Sequence, residues 1–476
     1  METHPVSATP FDFNAERVHE EVAELATEIH GLLLVPGEEG YAAESSAYNL
    51  NNPLEPALVV GAANTGDVQA AVRFAAGHNR PVAVRATGHQ VIRSTREAVL
   101  INTSRLNGVH VDAVNRIVRV EAGVRWHEVV EKAAEYGLAP LNGSSLDVGV
   151  IGYVLGGGQG PVLSRSQGYA SDHVQMIEVV TADGELRKVT ADSEPNLFWA
   201  LRGGKGNLGV VTALEMCLFP VTEFYGGGLY FAGEQMAEVL HVWRTWAAGL
   251  PEEATTSVAV QRLPALPELP EPLRGAFVLH VRFAHLGPAS EGEALIAPIR
   301  AVTTPLLDAV TKMPYTSVGM IHMDPPQPMP YYDRTTALRE LSAETMDAFI
   351  ELTGPGSDCP LASVEIRALG GALDREPAVP DAVPTRGIPF IVFAAGVGGP
   401  DQARLLQGYL DRIMRRLAPW AVEGNRMVNF LSADEATTAE ELRLVYGADR
   451  YRRLAEIKKA YDPLNVFRVN HNIVPA

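Results

Sequence analysis

An α+β fold in two domains is what this sequence predicts, and three observations carry that expectation. Short apolar runs flank an amphipathic helix between residues 57 and 84, a glycine-dense run spans Gly143 to Gly160, and from Phe219-Pro220 onward the helices and strand-like runs lengthen. The 476 residues are 46% hydrophobic and 20% charged, which supplies apolar material for more than one core. A net charge of −18 repels polyanions, so neither nucleic acid nor an anionic membrane surface is an expected partner. Cys217 and Cys359 are the only cysteines, which excludes a disulfide framework and a multi-cysteine metal site and fits a reducing compartment. Met1 to Phe13 shows no basic n-region or twin-arginine pair, and no apolar run nears the roughly 18 residues of a membrane helix. A soluble, cytoplasmic protein without a metal site is the expectation.

In order along the chain, Ala57–Val60 reads as a strand and Pro81–Val84 as a second. Between them, Thr65 caps a helix whose inner face carries Val68, Ala71, Val72 and Ala75. Strands at 108–111 and 117–120 enclose the turn Asp112–Arg116, and a helix near Trp126–Tyr136 stops at Gly137. Beyond the glycine run come a strand at Met176–Thr181, the turn Asp183-Gly184, a helix near Asn196–Leu201 and a strand at Val210–Cys217. In the second region, helices over 233–248, 290–302 and 401–417 alternate with strand-like runs at 257–261, 276–283, 363–369 and 390–395. Pro264 to Pro272 reads as an exposed extended connection. A C-terminal helix carries Leu442, Val445, Tyr451 and Leu454 and stops at Tyr461-Asp-Pro463.

Seven of the eighteen residues from Gly143 to Gly160 are glycine, so the backbone there can take positive φ and approach a bulky ligand. Successive N–H groups in such a loop form concave anion sites of the kind a pyrophosphate fills. Val148, Val150, Ile151, Val154 and Leu155 are interleaved, unlike a polar Gly/Ser linker, so the segment is buried either as a cofactor cradle or as a tight-turn loop. Gly204-Lys-Gly206-Asn-Leu-Gly209 matches Gly-x-Gly-x-x-Gly, but helix precedes it and strand follows it, the reverse of a dinucleotide-binding unit. That order speaks against a nicotinamide dehydrogenase. Arg85-Ala-Thr-Gly-His89-Gln90 follows a strand directly, which puts His89 at the strand's C-terminal edge, where ligands of α/β units lie; alone, it reads more readily as a structural histidine.

Together these motifs resemble one family. Arg85-x-x-Gly88-His89, Asn102-x-Ser104-Arg105-x-Asn107, Val120-x-Ala122-Gly123-x-x-Trp126 and the run from Val148 to Gly160 are similar to flavoproteins of the vanillyl-alcohol oxidase, or PCMH, type. So are Val180–Gly184, Leu197–Gly204, Gly206–Thr212 and Tyr461-Asp-Pro-x-Asn-x-Phe467, and the C-terminal motifs mark the berberine-bridge-enzyme-like branch. The resemblance implies an FAD domain of mixed α/β built from residues 1–220 and 425–476. It implies a substrate domain, 221–424, with an antiparallel sheet backed by helices. It also implies covalent attachment of FAD through His89. Ser145 stands where many members have a second, cysteinyl link, and a hydroxyl is far less nucleophilic than a thiolate, so one bond is expected.

The cofactor-binding residues carried over are Arg85, Thr87, Gly88, His89 and Gln90; Ser144, Ser145, Val148, Gly149, Gly152, Tyr153, Gly157, Gly158 and Gly160; Gly209, Val210 and Val211; and Asn429 and Asn470. Two positions depart from the pattern. Thr87 replaces the first glycine of Gly-Gly-His, and Met427 stands where a Tyr-x-Asn tyrosine serves as catalytic base; a thioether takes no proton. Glu365 and Arg367, at i and i+2 on an expected strand, share one face and are the replacement candidates, or else an ion pair on a solvated sheet. Tyr332, with Tyr331, is a further candidate from the Pro-rich 325–332 loop.

The implied activity is an FAD-dependent oxidase taking a hydride from a C–H bond of an alcohol, sugar or specialised metabolite, with O2 reoxidising the flavin to give H2O2. A flavin dehydrogenase with another acceptor, and a non-catalytic flavin or metabolite binder suggested by Met427, are the alternatives.

Overall fold

The computed structural model describes residues 22–89, 95–424 and 426–476. Three sheets organise them. The first has the order β1-β2-β4-β3, from Leu32–Leu34, Leu58–Gly61, Val82–Arg85 and Val99–Asn102 in chain order. Strands β2, β4 and β3 pair in parallel, which the helix α1 (Thr65–Gly77) allows by returning the chain from β2 to β3. The cap of α1 is Asn64 rather than Thr65: the extended backbone at Asn64 lets its side chain accept from Asp67 N at 3.0 Å. The second sheet is antiparallel, β5-β6-β9-β7-β8, built from Val109–Asp112, Ile117–Glu121, Val174–Val180, Leu186–Val189 and Val210–Cys217. The glycine run lies between β6 and β7, after helix α2 (Trp126–Ala134), and contains one helical turn of its own, α3 (Val150–Val154). Helix α4 (Pro195–Leu201) precedes the Gly204–Gly209 motif and β9 follows it, as the reversed order requires.

The third sheet is antiparallel and eight-stranded. Its strands are β10 (Glu223–Ala232), β11 (Ala254–Arg262), β12 (Phe277–His285), β13 (Leu307–Asp308), β14 (Thr311–Pro314), β15 (Tyr331–Leu338), β16 (Ser363–Ala368) and β17 (Phe390–Val397). The order is β13-β10-β12-β11-β16-β17-β15, with β14 also on β10. Alternation gives the sheet two unlike faces. Val258, Val260, Leu279, Val281, Val364, Ile366 and Val392 form the apolar one. It packs on the helices α5 (Met236–Ala248), α6 (Ala289–Arg300), α7 (Ala343–Thr353) and α8 (Ala403–Leu417) through Leu240, Trp243, Ile296, Phe349 and Ile413. Each such side chain, fully buried, contributes about 1.5–3 kcal/mol. The other face is polar.

Two expectations are corrected here. Tyr331 and Tyr332 are not loop aromatics; they open β15, because the Pro-rich segment ends before them and their backbone pairs with Val397 and Gly396 of β17. The C-terminal helix is two helices, α9 (Ala439–Tyr446) and α10 (Ala448–Tyr461), because Gly447 between them adopts a φ of 77°. These helices rejoin the first half of the chain. Leu442, Leu454, Val466, Phe467 and Ile473 share one core with Val72, Val99 and Trp126, and Val82 N donates to Val466 O at 2.9 Å.

Candidate active site

Arg85 ends β3, and its guanidinium is spent on structure: Nε donates to Ser46 O at 2.5 Å and Nη2 to Ser46 Oγ at 2.8 Å. Gly88, at φ 73°, lies against Ser46, Ala47 and Tyr48 so closely that a Cβ would press on their backbone, and its carbonyl accepts from Tyr48 N at 2.9 Å. The pairing delivers the Tyr48 ring onto His89, stacked at 4.0 Å and 14°. Thr87 shapes the same turn: its hydroxyl lies 2.9 Å from His89 Nδ1, and its methyl would meet a Cβ at Gly149 at 3.5 Å. The His89 pKa is pushed down to about 4, first by burial and then by the Arg125 guanidinium, so the imidazole is neutral near pH 7. Gln90, the last residue of the motif, lies outside the described residues.

Beside this turn, Ser144, Ser145 and Val148 are half-buried, and Ser144 Oγ donates to Asp324 at 2.6 Å. The glycines of the run do different work. At Gly157 (φ 104°) and Gly158 (φ 80°) the backbone is left-handed, and a Cβ at Gly158 would overlap the Tyr153 ring. A Cβ at Gly160 would overlap Asn142 O. These three are glycine because the protein itself comes close. Gly152 instead is exposed, with nothing within 4 Å of where its Cβ would stand. Asn429 closes the run from the C-terminal side: Nδ2 donates to Tyr153 O at 2.9 Å, and Oδ1 accepts from Lys205 Nζ at 2.9 Å. Asn470 Nδ2 donates to Gly206 O at 3.0 Å. Gly209, Val210 and Val211 are buried at the head of β9, against β7 and under α3. Met427 is buried among Tyr169, Leu369 and Ile391.

Glu365 and Arg367 share the polar face of the eight-stranded sheet, and the face is closed rather than solvated. Glu365 is 4% exposed, and its carboxylate is gripped from both sides: Arg282 Nη1 lies 2.7 Å from Oε1, and Arg367 Nη2 donates to Oε2 at 3.0 Å. Burial alone would raise its pKa, but Arg367 and Arg282 outweigh burial and hold it well below the usual carboxylate range. Such a carboxylate is a poor proton acceptor at neutral pH. Arg282 Nε also donates to His280 Nδ1 at 3.3 Å, and His280 stacks on Tyr230 at 4.0 Å. His322 Nε2 lies 3.5 Å from Glu365 Oε1; burial first, and Arg282 next, keep this imidazole neutral. The register places Phe393 opposite Glu365, and Tyr331 and Asp333 on the same face. Tyr332 is on the other face, packed against the helix-backed core, so the structure separates it from Glu365 and Arg367.

Sequence reasoning passed over Arg282 and His280, although they carry the same signal as Glu365-Ile-Arg367: two polar residues at i and i+2 in an apolar strand. It passed over Tyr48, His322 and Asp324 because nothing local marks them; long-range packing alone brings them in.

With this architecture in place, comparison with known proteins defines the class. The FAD binding domain family matches residues 56–190, and the berberine and berberine-like family matches residues 428–474. The chain thus carries an FAD binding domain and a berberine-like C-terminal segment, its full-length relatives include FAD-linked oxidoreductases, and FAD is the cofactor that such a domain serves. Among its relatives, the (R)-6-hydroxynicotine oxidase of Paenarthrobacter nicotinovorans is 27% identical over 94% of this chain and 97% of its own. The crystal structure of 6-hydroxy-D-nicotine oxidase from Arthrobacter nicotinovorans matches with a TM-score of 0.77 at 26% identity, covering 94% of this chain and 98% of that one. The berberine-bridge-like enzyme 1 of Physcomitrella patens shares the fold at a TM-score of 0.82 and 19% identity, over 96% of this chain and 99% of that one. No helix among the described residues is long and apolar enough to cross a membrane.

The residues fit such a cofactor. Tyr153 Oη and Asn470 Oδ1 are buried with no hydrogen-bond partner among the described residues, and Gly152, in the helical turn that starts beside Thr87, offers open backbone.

Proposed function

We propose that the chain is an oxidase that takes a hydride from a C–H bond of a small-molecule substrate, with FAD held covalently through His89 alone and O2 as acceptor. The observation that carries the reading is a neutral, half-buried imidazole just beyond the end of β3, stacked on Tyr48, which meets Tyr331 of the sheet edge-on at 6.4 Å. With Nδ1–H donated to the Thr87 hydroxyl, Nε2 would keep its lone pair for a bond to the flavin 8α carbon; that methyl would lose a C–H proton, and the two electrons left on the flavin would pass to O2. Ser145 supplies no thiolate, so no second link forms. FAD held there would supply the hydride acceptor and the path by which the two electrons reach O2 to give H2O2.

The remaining work belongs to the protein. The glycine run and Asn429, Asn470, Tyr153 and Gly152 bind and orient the cofactor, and the polar face of the eight-stranded sheet presents the substrate. Glu365, fixed as an anion by Arg282 and Arg367, accepts a hydrogen bond from the substrate and orients it rather than taking its proton. Neutral His322, beside it, is the proton acceptor in place of the base absent at Met427. Tyr332 takes no part. The division into an FAD part, 1–220 with 425–476, and a substrate part, 221–424, belongs to the same reading.

The test is the intact mass of the acid-denatured chain and of its His89→Ala variant. One added FAD on the first and none on the second is expected; flavin released from the unmodified chain rules out the covalent link.

A further inference from the structure

The polar face of the eight-stranded sheet holds more donors than acceptors. Arg282 and Arg367 share one carboxylate, Glu365, so this buried patch keeps one positive charge in excess while His280 and His322 stay neutral. Between the two arginines is a cavity of about 10 Å³, lined by Gln159, Thr256, Ser257, Arg282, His322 and Arg367 among others. Three buried polar atoms there have no partner among the described residues, Ser257 Oγ, Arg367 Nε and His322 Nδ1, while His322 Nε2 faces Glu365 Oε1 at 3.5 Å. Ser257 and Arg367 present O–H and N–H groups into it. Leaving such donors buried and unmatched is costly, so the cavity is built for an acceptor. Its volume takes about one water-sized atom. Flat apolar surface adjoins it: Phe393 stands opposite Glu365 in the register, Phe430 lies 5.1 Å from Phe393, and the Arg367 guanidinium sits 4.9 Å over the Phe430 ring.

We propose that this cavity binds one oxygen of a carboxylate that the substrate carries on an aromatic body, with Arg282 and Arg367 as counter-charges and Ser257 as hydrogen-bond donor. The inference rests on the oxidase reading for the word substrate, but the binding site stands on its own geometry. The acidic composition of the chain does not oppose this, because a net charge of −18 describes the whole molecule and the positive charge here is local and buried.

The test uses the purified protein as it folds, with benzoate as probe and benzamide as its neutral counterpart, read by calorimetry and by the visible flavin spectrum. Expected is one benzoate per chain, a shifted flavin spectrum, and benzamide bound at least about tenfold more weakly, the factor one charge-assisted hydrogen bond supplies. Ser257→Ala should weaken benzoate about tenfold, and Arg367→Met should abolish it. Ser257→Ala leaves the ion pairs intact, so the test does not depend on whether Arg367→Met folds. Equal binding of the two probes, no benzoate binding, or unchanged binding by Ser257→Ala overturns the proposal. A protein without flavin absorbance would remove the oxidase reading, while calorimetry would still report on the cavity.

Discussion

Arg367 Nη1 donates to Gln159 Oε1 at 3.2 Å, and this hydrogen bond joins the polar face of the eight-stranded sheet to the glycine run. The amide of Gln159 is held at its other end too, because Nε2 donates to Gly160 O at 2.8 Å. The guanidinium is therefore fixed between a carboxylate on its own strand and a loop more than 200 residues earlier in the chain. Sheet and glycine run meet through a side chain whose position neither sets alone.

Gln159→Ala removes the acceptor and leaves a buried guanidinium N–H unmatched. The expected loss is about 1–3 kcal/mol of unfolding free energy, read from the urea midpoint at constant m. FAD should remain bound, since Gln159 reaches the sheet and not the His89 turn. An unchanged midpoint would mean that the bond carries no net stability.

Glu365→Gln leaves Arg282 and Arg367 buried without a counter-charge, and breaking a buried pair in this way costs about 3–5 kcal/mol. The pH dependence gives a second reading. The folded carboxyl is held below its ordinary value of 4.5, so its contribution is present above that pH and is lost as pH falls toward the folded pKa. Acid unfolding followed by circular dichroism should show the wild type losing its advantage over Glu365→Gln below about pH 4.5. A constant difference down to pH 3 would contradict the assignment of that carboxylate as the stabilising charge.

Much of this site is legible in the chain because its signals are local. The glycine run, the strand before His89, and Glu365-Ile-Arg367 each declare themselves within a few residues. What escaped was set by distant partners. Strand β10 contains Gly226-Gly-Gly228, which reads as a turn; yet Gly227 has a φ of 142°, and a Cβ at Gly228 would overlap the His280 ring opposite. Gly228 makes room for a polar side chain that sequence gives no reason to place there, and Gly227 for the backbone at Ala309. His322 and Tyr48 reach the site from irregular segments, so no periodicity could have found them. The glycine run is instructive in the other direction. Several of its glycines answer to protein neighbours, and Gly152 alone in the run has nothing within 4 Å of where its Cβ would stand, so glycine density has more than one cause here.

Gly158→Ala separates these two uses. At a φ of 80° an alanine is strained by about 1–2 kcal/mol, and its Cβ overlaps the Tyr153 ring, which adds about 1–3 kcal/mol of overpacking. Gly152→Ala has room in the protein alone and should leave the stability of the flavin-free chain within about 0.5 kcal/mol while weakening FAD retention. Thermal melts of flavin-free and flavin-loaded protein check both. If the two variants behave alike, Gly152 does not face the cofactor.

The His89 turn makes the last prediction, in pH. Burial and Arg125 depress the imidazole from 6.5 to about 4, so it remains an unprotonated nucleophile well into acid. Between those values the unfolded state binds the extra proton, so stability due to this group falls as pH drops through that window. Covalent attachment, followed by mass after adding FAD to protein made under riboflavin limitation, should be flat from about pH 8 to about pH 5 and then decline. Arg125→Met removes one cause of the depression, so its decline should begin at higher pH. A wild-type rate that already halves near pH 6.5, or a profile that Arg125→Met leaves in place, would show that the groups named here do not set the charge of His89.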